Sequence, residues 1–213
     1  MRYERKYLSF RNEGYIFKKF LIKNNFRNIF DKRVINSIYF DTTNLKFFTE
    51  NIEGISRRKK VRLRWYNNDF AKSILEIKNK KEFLVWKENF PININDDINF
   101  NFLNLKKNFL NKIYIFKKFN LIPKIKISYS REYFLSSCGN FRATVDTDLS
   151  MNKNLKSKIL PHFMNRDILE FKYNQDRDTL FRNFVNDVGI KFRFQKYSKY
   201  VSGVLLLKNN SYI

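Results

Sequence analysis

Between Arg57 and Lys80 the chain alternates polar and apolar positions twice over. In R-R-K-K-V-R-L-R-W-Y, Arg58, Lys60, Arg62 and Arg64 share one side of an extended strand, and Val61, Leu63 and Trp65 share the other. The turn-forming N-N-D follows directly. Then I-L-E-I-K-N-K puts Ile74, Glu76, Lys78 and Lys80 on one side and Leu75 and Ile77 on the other, which predicts an antiparallel hairpin. One such strand is an ordinary sheet edge with a solvated face. The pattern, however, recurs in strand after strand.

The same reading predicts strands over 2–8, 34–41, 82–90, 124–135, 141–149 and 168–173. In the first, Arg2, Glu4 and Lys6 face one way and Tyr3, Arg5 and Tyr7 the other. Pro91 closes the strand before it, and Gly139-Asn140 makes a turn. Helical spacing predicts 12–23, with Ile16, Phe17, Phe20 and Leu21 apolar, and 103–119, through Leu105, Phe109, Leu110, Ile113 and Phe116. A third helix covers 176–188, with Leu180, Phe181, Phe184 and Val185 buried and Gly189 ending it. Thr43 caps a short fourth, through Leu45, Phe47 and Phe48, that stops near Gly54. Segments 93–101 and 151–161 read as loop, and 192–203 closes the chain. This is an α+β pattern of about eight strands and three or four helices, with no repeat or linker, so 1–213 is expected to be a single domain. If the charged faces look outward, the apolar faces make an ordinary core. If they look inward, the strands close around a polar lumen and helices pack outside. Spacing alone does not decide.

Charge changes the picture. The 43 basic and 20 acidic residues give a net charge of +23, which attracts polyanions: nucleic acid, anionic membrane or polyphosphate. Abundant Lys, Asn, Ile and Phe also fit an A+T-rich coding bias, but that explains the arginine-rich strand less well. Cys138 is the single cysteine, so no intrachain disulfide forms and a reducing compartment fits. The start has no apolar signal-peptide core, and Val204–Leu207 is too short to span a bilayer. A soluble, cytoplasmic protein is expected.

The ordered fragments Y-E-R-K-Y, S-I-Y-F-D-T, R-L-R-W-Y, L-E-I-K, S-Y-S-R-E-Y-F, R-A-T-V-D-T-D-L, L-E-F-K and K-Y-S-K-Y resemble the VTC domain. That domain is the catalytic part of the polyphosphate polymerase and a branch of the triphosphate tunnel metalloenzymes. Each fragment alone is weak, but their order spans residues 3 to 203. The resemblance implies an eight-stranded antiparallel β-barrel tunnel, charged faces inward and helices outside. It assigns catalytic roles to Lys6, Arg62, Arg64, Lys78, Arg131, Arg142, Lys196 and Lys199, and the metal to Glu170. Arg58, Lys60, Lys87, Lys172 and Ser198 are the expected substrate-binding residues. The superfamily's E-x-E-x-K reads Arg2-Tyr3-Glu4-Arg5-Lys6 here, which favours the VTC branch and weighs against a second strongly bound metal.

Phosphoryl transfer asks for positioning and charge neutralisation, which arginine forks, lysines and a carboxylate-held Mg²⁺ or Mn²⁺ supply. The resemblance therefore implies a polymerase that extends polyphosphate from a nucleoside triphosphate. A tripolyphosphatase or nucleoside triphosphatase of the same fold is the nearer alternative, and a non-catalytic polyanion- or RNA-binding barrel the further one. Carboxylates among the arginines, at Glu4, Glu76 and Glu170, suit an RNA groove poorly. No DNA partner is expected; a separate membrane-protein partner and the oligomeric state are left open. Eukaryotic members of the VTC family carry a sensor domain before that domain and membrane helices after it, and neither is expected here. His162 reads as a loop residue, Trp65 and Trp86 as packing, and Glu76 as an ion-pair partner of the arginines. Asp146 and Asp148 lie on Arg142's strand face, where they would orient cations.

Overall fold

The computed structural model describes residues 2–93, 110–152, 161–188, 192 and 194–209. Along the chain run β1 (Arg2–Ser9), α1 (Gly14–Lys23), β2 (Phe26–Asp41), α2 (Lys46–Ile52), β3 (Arg57–Tyr66), β4 (Asp69–Lys81) and β5 (Leu84–Asn93). Then come α3 (Tyr114–Phe119), β6 (Ile122–Ser136), β7 (Arg142–Asn152), β8 (His162–Phe163), β9 (Asp167–Asn174), α4 (Asp178–Asp187) and α5 (Lys199–Asn209). The strands pair in the order β1-β9-β7-β6-β2-β3-β4-β5, with β8 against β7. This is an α+β fold with a large antiparallel sheet. Its ladder ends at β1 and β5, and among the described residues no pairing joins those two into the expected closed barrel.

The chain forms two compact units, and β2 and β6 contribute strand to both. One comprises Met1–Val34, Tyr129–Ser150 and Phe163–Tyr197. Its core is aromatic: Tyr7, Phe17, Phe26, Phe141, Phe171, Tyr173 and Phe181 are buried together. Tyr173 and Phe181 stack at 4.3 Å between centroids. The other comprises Ile35–Ser128, Met151–His162 and Ser198–Ile213. Its core takes the apolar side of the hairpin, Val61, Leu63, Trp65, Leu75 and Ile77, together with Ile38, Phe40 and Phe116. Burying those side chains fixes the register, because a one-residue slip would turn Arg62 and Arg64 into the core.

Several boundaries differ from the sequence pattern. β2 begins at Phe26 rather than residue 34, because 27–34 buries neither side and so shows no polar–apolar alternation. β5 runs through Pro91, which edge strands tolerate since the missing N–H need not feed a ladder. α2 begins after Leu45, whose φ is 56°, and it is Asp41 that accepts the Phe47 and Phe48 amides, at 2.9 and 2.8 Å, with Thr42 accepting that of Lys46. Thr43 is therefore not the cap. Helix α3 holds only the end of the 103–119 pattern, whose start lies outside the described residues, as do residues 153–160 and Gly189. Leu180 is exposed, since stacking of Phe181 on Tyr173 turns it out of the core. Among the described residues no helix is long and apolar enough to cross a membrane.

Candidate functional site

In the second unit, the polar side of β3 and β4 gathers around one carboxylate. Glu76 lies opposite Arg62 and is buried. Arg62 donates to its Oε2 from Nε at 2.7 Å, with Nη2 at 2.6 Å; Arg64 Nη2 stands 2.7 Å and Lys87 Nζ 3.2 Å from Oε1. Burial would raise the carboxyl's pKa, but Arg62, Arg64 and Lys87 outweigh it and hold it below the ordinary value. The ammonium of Lys87 is lowered, by burial first and by Arg62 and Arg64 against the pull of Glu76. Glu76 is thus the ion-pair partner its pattern predicts.

Beside this cluster lies a row of like charges. Lys60 faces Lys78 across β3 and β4, and Lys78 faces Lys87 across β4 and β5. Lys60 Nζ donates to Ser198 Oγ at 2.9 Å. That hydroxyl also accepts the Val201 amide at 3.4 Å, capping α5. Arg64 Nε and Ser37 Oγ, opposite each other across β3 and β2, are buried without hydrogen-bond partners, the mark of a place that a ligand or water completes. Arg62 Nη1 donates to Tyr39 Oη at 3.3 Å. Tyr39 in turn stacks on Tyr200, whose hydroxyl donates to Asp41 at 2.6 Å. Burial and that carboxylate push the Tyr200 phenol far above its usual value. The S-I-Y-F-D-T and K-Y-S-K-Y fragments therefore meet, in a structural lock.

In the first unit a second constellation forms where β1, β9 and β7 pair. Lys6 faces Glu170, which faces Thr144; Glu4 faces Lys172, which faces Arg142. Lys6 Nζ stands 2.8 Å from Glu4 Oε1 and 3.6 Å from Glu170 Oε2, and Lys172 Nζ 2.6 Å from Glu170 Oε1. Burial would lower the Lys6 ammonium, but Glu170 and Glu4 raise it above its ordinary value. Arg131 holds buried Asp146 with two bonds of 2.5 and 2.7 Å. That pair outweighs burial and keeps the guanidinium far above its usual pKa. Asp146 thus orients a cation, as its position predicts, whereas Asp148 is exposed and stands 4.0 Å from Lys32.

Of the other expected residues, Arg142 stands opposite Lys172 at the margin of the second cluster, and the rest fall outside both. Arg58 Nη1 donates to the Gly54 and Ile55 carbonyls at 3.1 and 2.7 Å, tying down the loop before β3. Arg142 and Lys196 are exposed, and Lys199 opens α5. His162 is exposed in β8. Trp65 packs edge-on against Phe70 at 4.8 Å, but Trp86 is exposed rather than packed. The sequence pattern did not mark Ser37, Tyr39 or Thr144 as site residues. Their register opposite Arg64, Arg62 and Glu170 is the signal that reveals them.

Among the described residues no group of three or more His, Cys, Asp or Glu side chains is arranged for a metal. Two carboxylates sharing one lysine, Glu4 and Glu170, still fit a hard divalent cation of the kind that takes one or two carboxylates and completes its shell with phosphate and water. The buried, unpartnered Thr144 Oγ1 opposite Glu170 adds a further oxygen donor.

The fold and its two clusters define an α+β protein whose antiparallel sheet carries cations gathered on buried carboxylates. The VTC domain model matches residues 1–208, and the chain belongs to that family. No curated protein matches it significantly. Among solved structures it is similar to the PH1819 protein of Pyrococcus horikoshii OT3, with a TM-score of 0.54 at 15% identity over 97% of this chain and 99% of that one. It is also similar to a conserved hypothetical protein of Pyrococcus furiosus, with a TM-score of 0.53 at 14% identity over 94% and 99%. A putative adenylate cyclase of Vibrio parahaemolyticus gives a TM-score of 0.50 at 11% identity over 94% and 97%. At such identities these likenesses show the fold alone.

Proposed function

We propose that the chain is a metal-dependent phosphotransferase of the polyphosphate-polymerase kind, moving the terminal phosphate of a nucleoside triphosphate onto a polyphosphate chain. The observation that carries this reading is the row Lys60–Lys78–Lys87 beside the Arg62–Arg64–Glu76 cluster. Like charges facing each other across strands are destabilising by themselves. Lys87 is drawn to Glu76, and a chain of regularly spaced anions laid along the row would relieve repulsion between its members. A nucleic-acid groove needs exposed rings for bases, whereas Tyr39 on this face is buried against Tyr200.

The chemistry follows from charge. Arg62 and Arg64 spend part of their forks on Glu76 and turn the remaining N–H groups to phosphate oxygens; the lysines follow as point charges. An oxygen of the acceptor's terminal phosphate attacks the donor's γ-phosphorus. The bond from that phosphorus to the β–γ bridging oxygen breaks, and the nucleoside diphosphate leaves. Oriented cations stabilise the charge that gathers on those oxygens, and no side chain acts as nucleophile. In the other unit, Glu170 and Glu4 would hold a divalent cation, Mg²⁺ or Mn²⁺, which would supply charge neutralisation to a phosphate bound there. Lys6 and Lys172 would then turn from carboxylate to phosphate. Incubation with ATP and Mn²⁺, followed by sizing of the phosphate product, tests the reading. Long chains support it. Orthophosphate alone makes the protein a hydrolase, and binding without turnover makes it a polyanion-binding module.

A further inference from the structure

The tip of the β4–β5 hairpin, from the turn residue Phe83 into β5, carries four consecutive exposed apolar residues: Phe83, Leu84, Val85 and Trp86 are 83%, 68%, 53% and 45% accessible. Nothing in the strand pattern requires this, since a two-residue turn is ordinarily polar. The rungs behind the tip are basic. Leu84 faces Lys81, which faces Arg57; Val85 faces Lys80, which faces Arg58. In the next rung Trp86 faces Asn79, which faces Lys59. A cavity of 340 Å³ opens beside Trp86, walled by Arg57, Lys59, Lys80, Lys81 and the ring of Phe119, with Glu50 as its one acidic residue. Five cations thus stand within three rungs of an apolar tip whose one acidic residue is Glu82.

We propose that the β4–β5 hairpin tip is a docking surface for an anionic phospholipid bilayer. An aromatic and aliphatic point set in a basic collar matches the boundary between headgroups and acyl chains. Phe83, Leu84 and Val85 enter the apolar layer, and Trp86 sits at headgroup level with its indole N–H donating to Glu88 Oε1 at 3.3 Å. Arg57, Lys59 and Lys81 meet lipid phosphates, and the cavity beside Trp86 takes a headgroup. A second copy of the chain fits the surface poorly, because a twofold contact would press the same cations against each other. Nucleic acid fits poorly too, because three of the four apolar residues have no wide π-face beside the collar or lie beyond it. The proposal does not depend on the catalytic reading.

The test uses the whole chain with vesicles of phosphatidylcholine, with and without phosphatidylglycerol. Sedimentation should show binding to the anionic vesicles alone, weakening with salt. Trp65 is already buried, so a blue shift of tryptophan emission on binding reports Trp86. Trp86→Phe should remove that shift while the protein still sediments. Phe83→Ser with Leu84→Ser should weaken binding about tenfold or more. Arg57→Gln and Lys81→Gln should each weaken it about fivefold. Phe83→Ser alone, at the most exposed position, serves if the double variant melts early. Absence of vesicle binding overturns the proposal, as does equal binding to neutral vesicles. So does a serine variant that binds like the wild type, since charge alone then suffices. Self-association without vesicle binding, abolished by the serine variant, assigns the tip to a second copy and also overturns it.

Discussion

Lys78 sits directly across from Lys87 on adjacent antiparallel strands, and its other neighbour in the rung is Lys60. Two such ammoniums about 6 Å apart at an effective dielectric of about 20 repel by about 3 kcal/mol, and exposure to water and salt reduces this to about 1 kcal/mol. Lys78→Met should bind polyphosphate more weakly than the wild type, and the difference should shrink as salt rises. A variant that binds polyphosphate as before would show that the row is not held for an anion.

Crowded cations also make stability depend on what lies over them. Tripolyphosphate should raise the melting temperature strongly, because it binds the folded state alone. The same total phosphate supplied as separate monophosphates should raise it much less, since each must be immobilised singly. Equal shifts in calorimetry would count against a continuous anion track.

Glu76 sets the acid limit of its unit. Its folded pKa lies below its unfolded one, since Arg62, Arg64 and Lys87 outweigh burial. The unfolded chain therefore binds more protons. The stabilisation is complete above the ordinary carboxylate value of about 4.3 and is lost as pH falls through the lower folded value. Melting temperature should then drop from about pH 5 to about pH 3 more steeply in the wild type than in Glu76→Gln. At neutral pH the variant should lose about 1–3 kcal/mol, with two guanidiniums left short of a counter-charge. Parallel slopes in the two proteins would remove Glu76 from its assigned place.

How much of this was legible in the sequence depends on whether local spacing carries the cause. The two faces of β3 and β4 were legible because strand periodicity alone separates Arg62 and Arg64 from Val61 and Leu63. Glu76 was legible as their partner for the same reason. The contact of Lys60 with Ser198 was not, because 138 residues separate them. Helix α5 was hidden behind Gly203, a residue that weakens a helix in isolation. A Cβ there would stand 2.8 Å from Ile125 Cδ1, so close packing explains the glycine. The cap of α2 was misplaced because Asp41 already ends a strand and reaches forward six and seven residues.

Glu170 separates catalysis from binding. Its carboxylate holds Lys6 and Lys172, and Gln keeps its size while removing its charge. Glu170→Gln should bind tripolyphosphate at least as well as the wild type in metal-free calorimetry, one negative charge having gone. Its turnover with ATP should fall about a hundredfold or more, and its response to Mn²⁺ should flatten. Full Mn²⁺-dependent turnover would leave Glu170 as an ion-pair partner alone.

The most direct measurement supplies γ-labelled ATP with Mn²⁺ and resolves the labelled product by length, for the wild type and for Arg62→Ala and Arg64→Ala. Wild-type protein should place the label in polyphosphate chains. The two variants should place almost none there, although circular dichroism shows them folded, because the guanidinium forks beside Glu76 that we propose grip phosphate have gone. Label found only in orthophosphate, or chains made equally well by the alanine variants, would contradict the account.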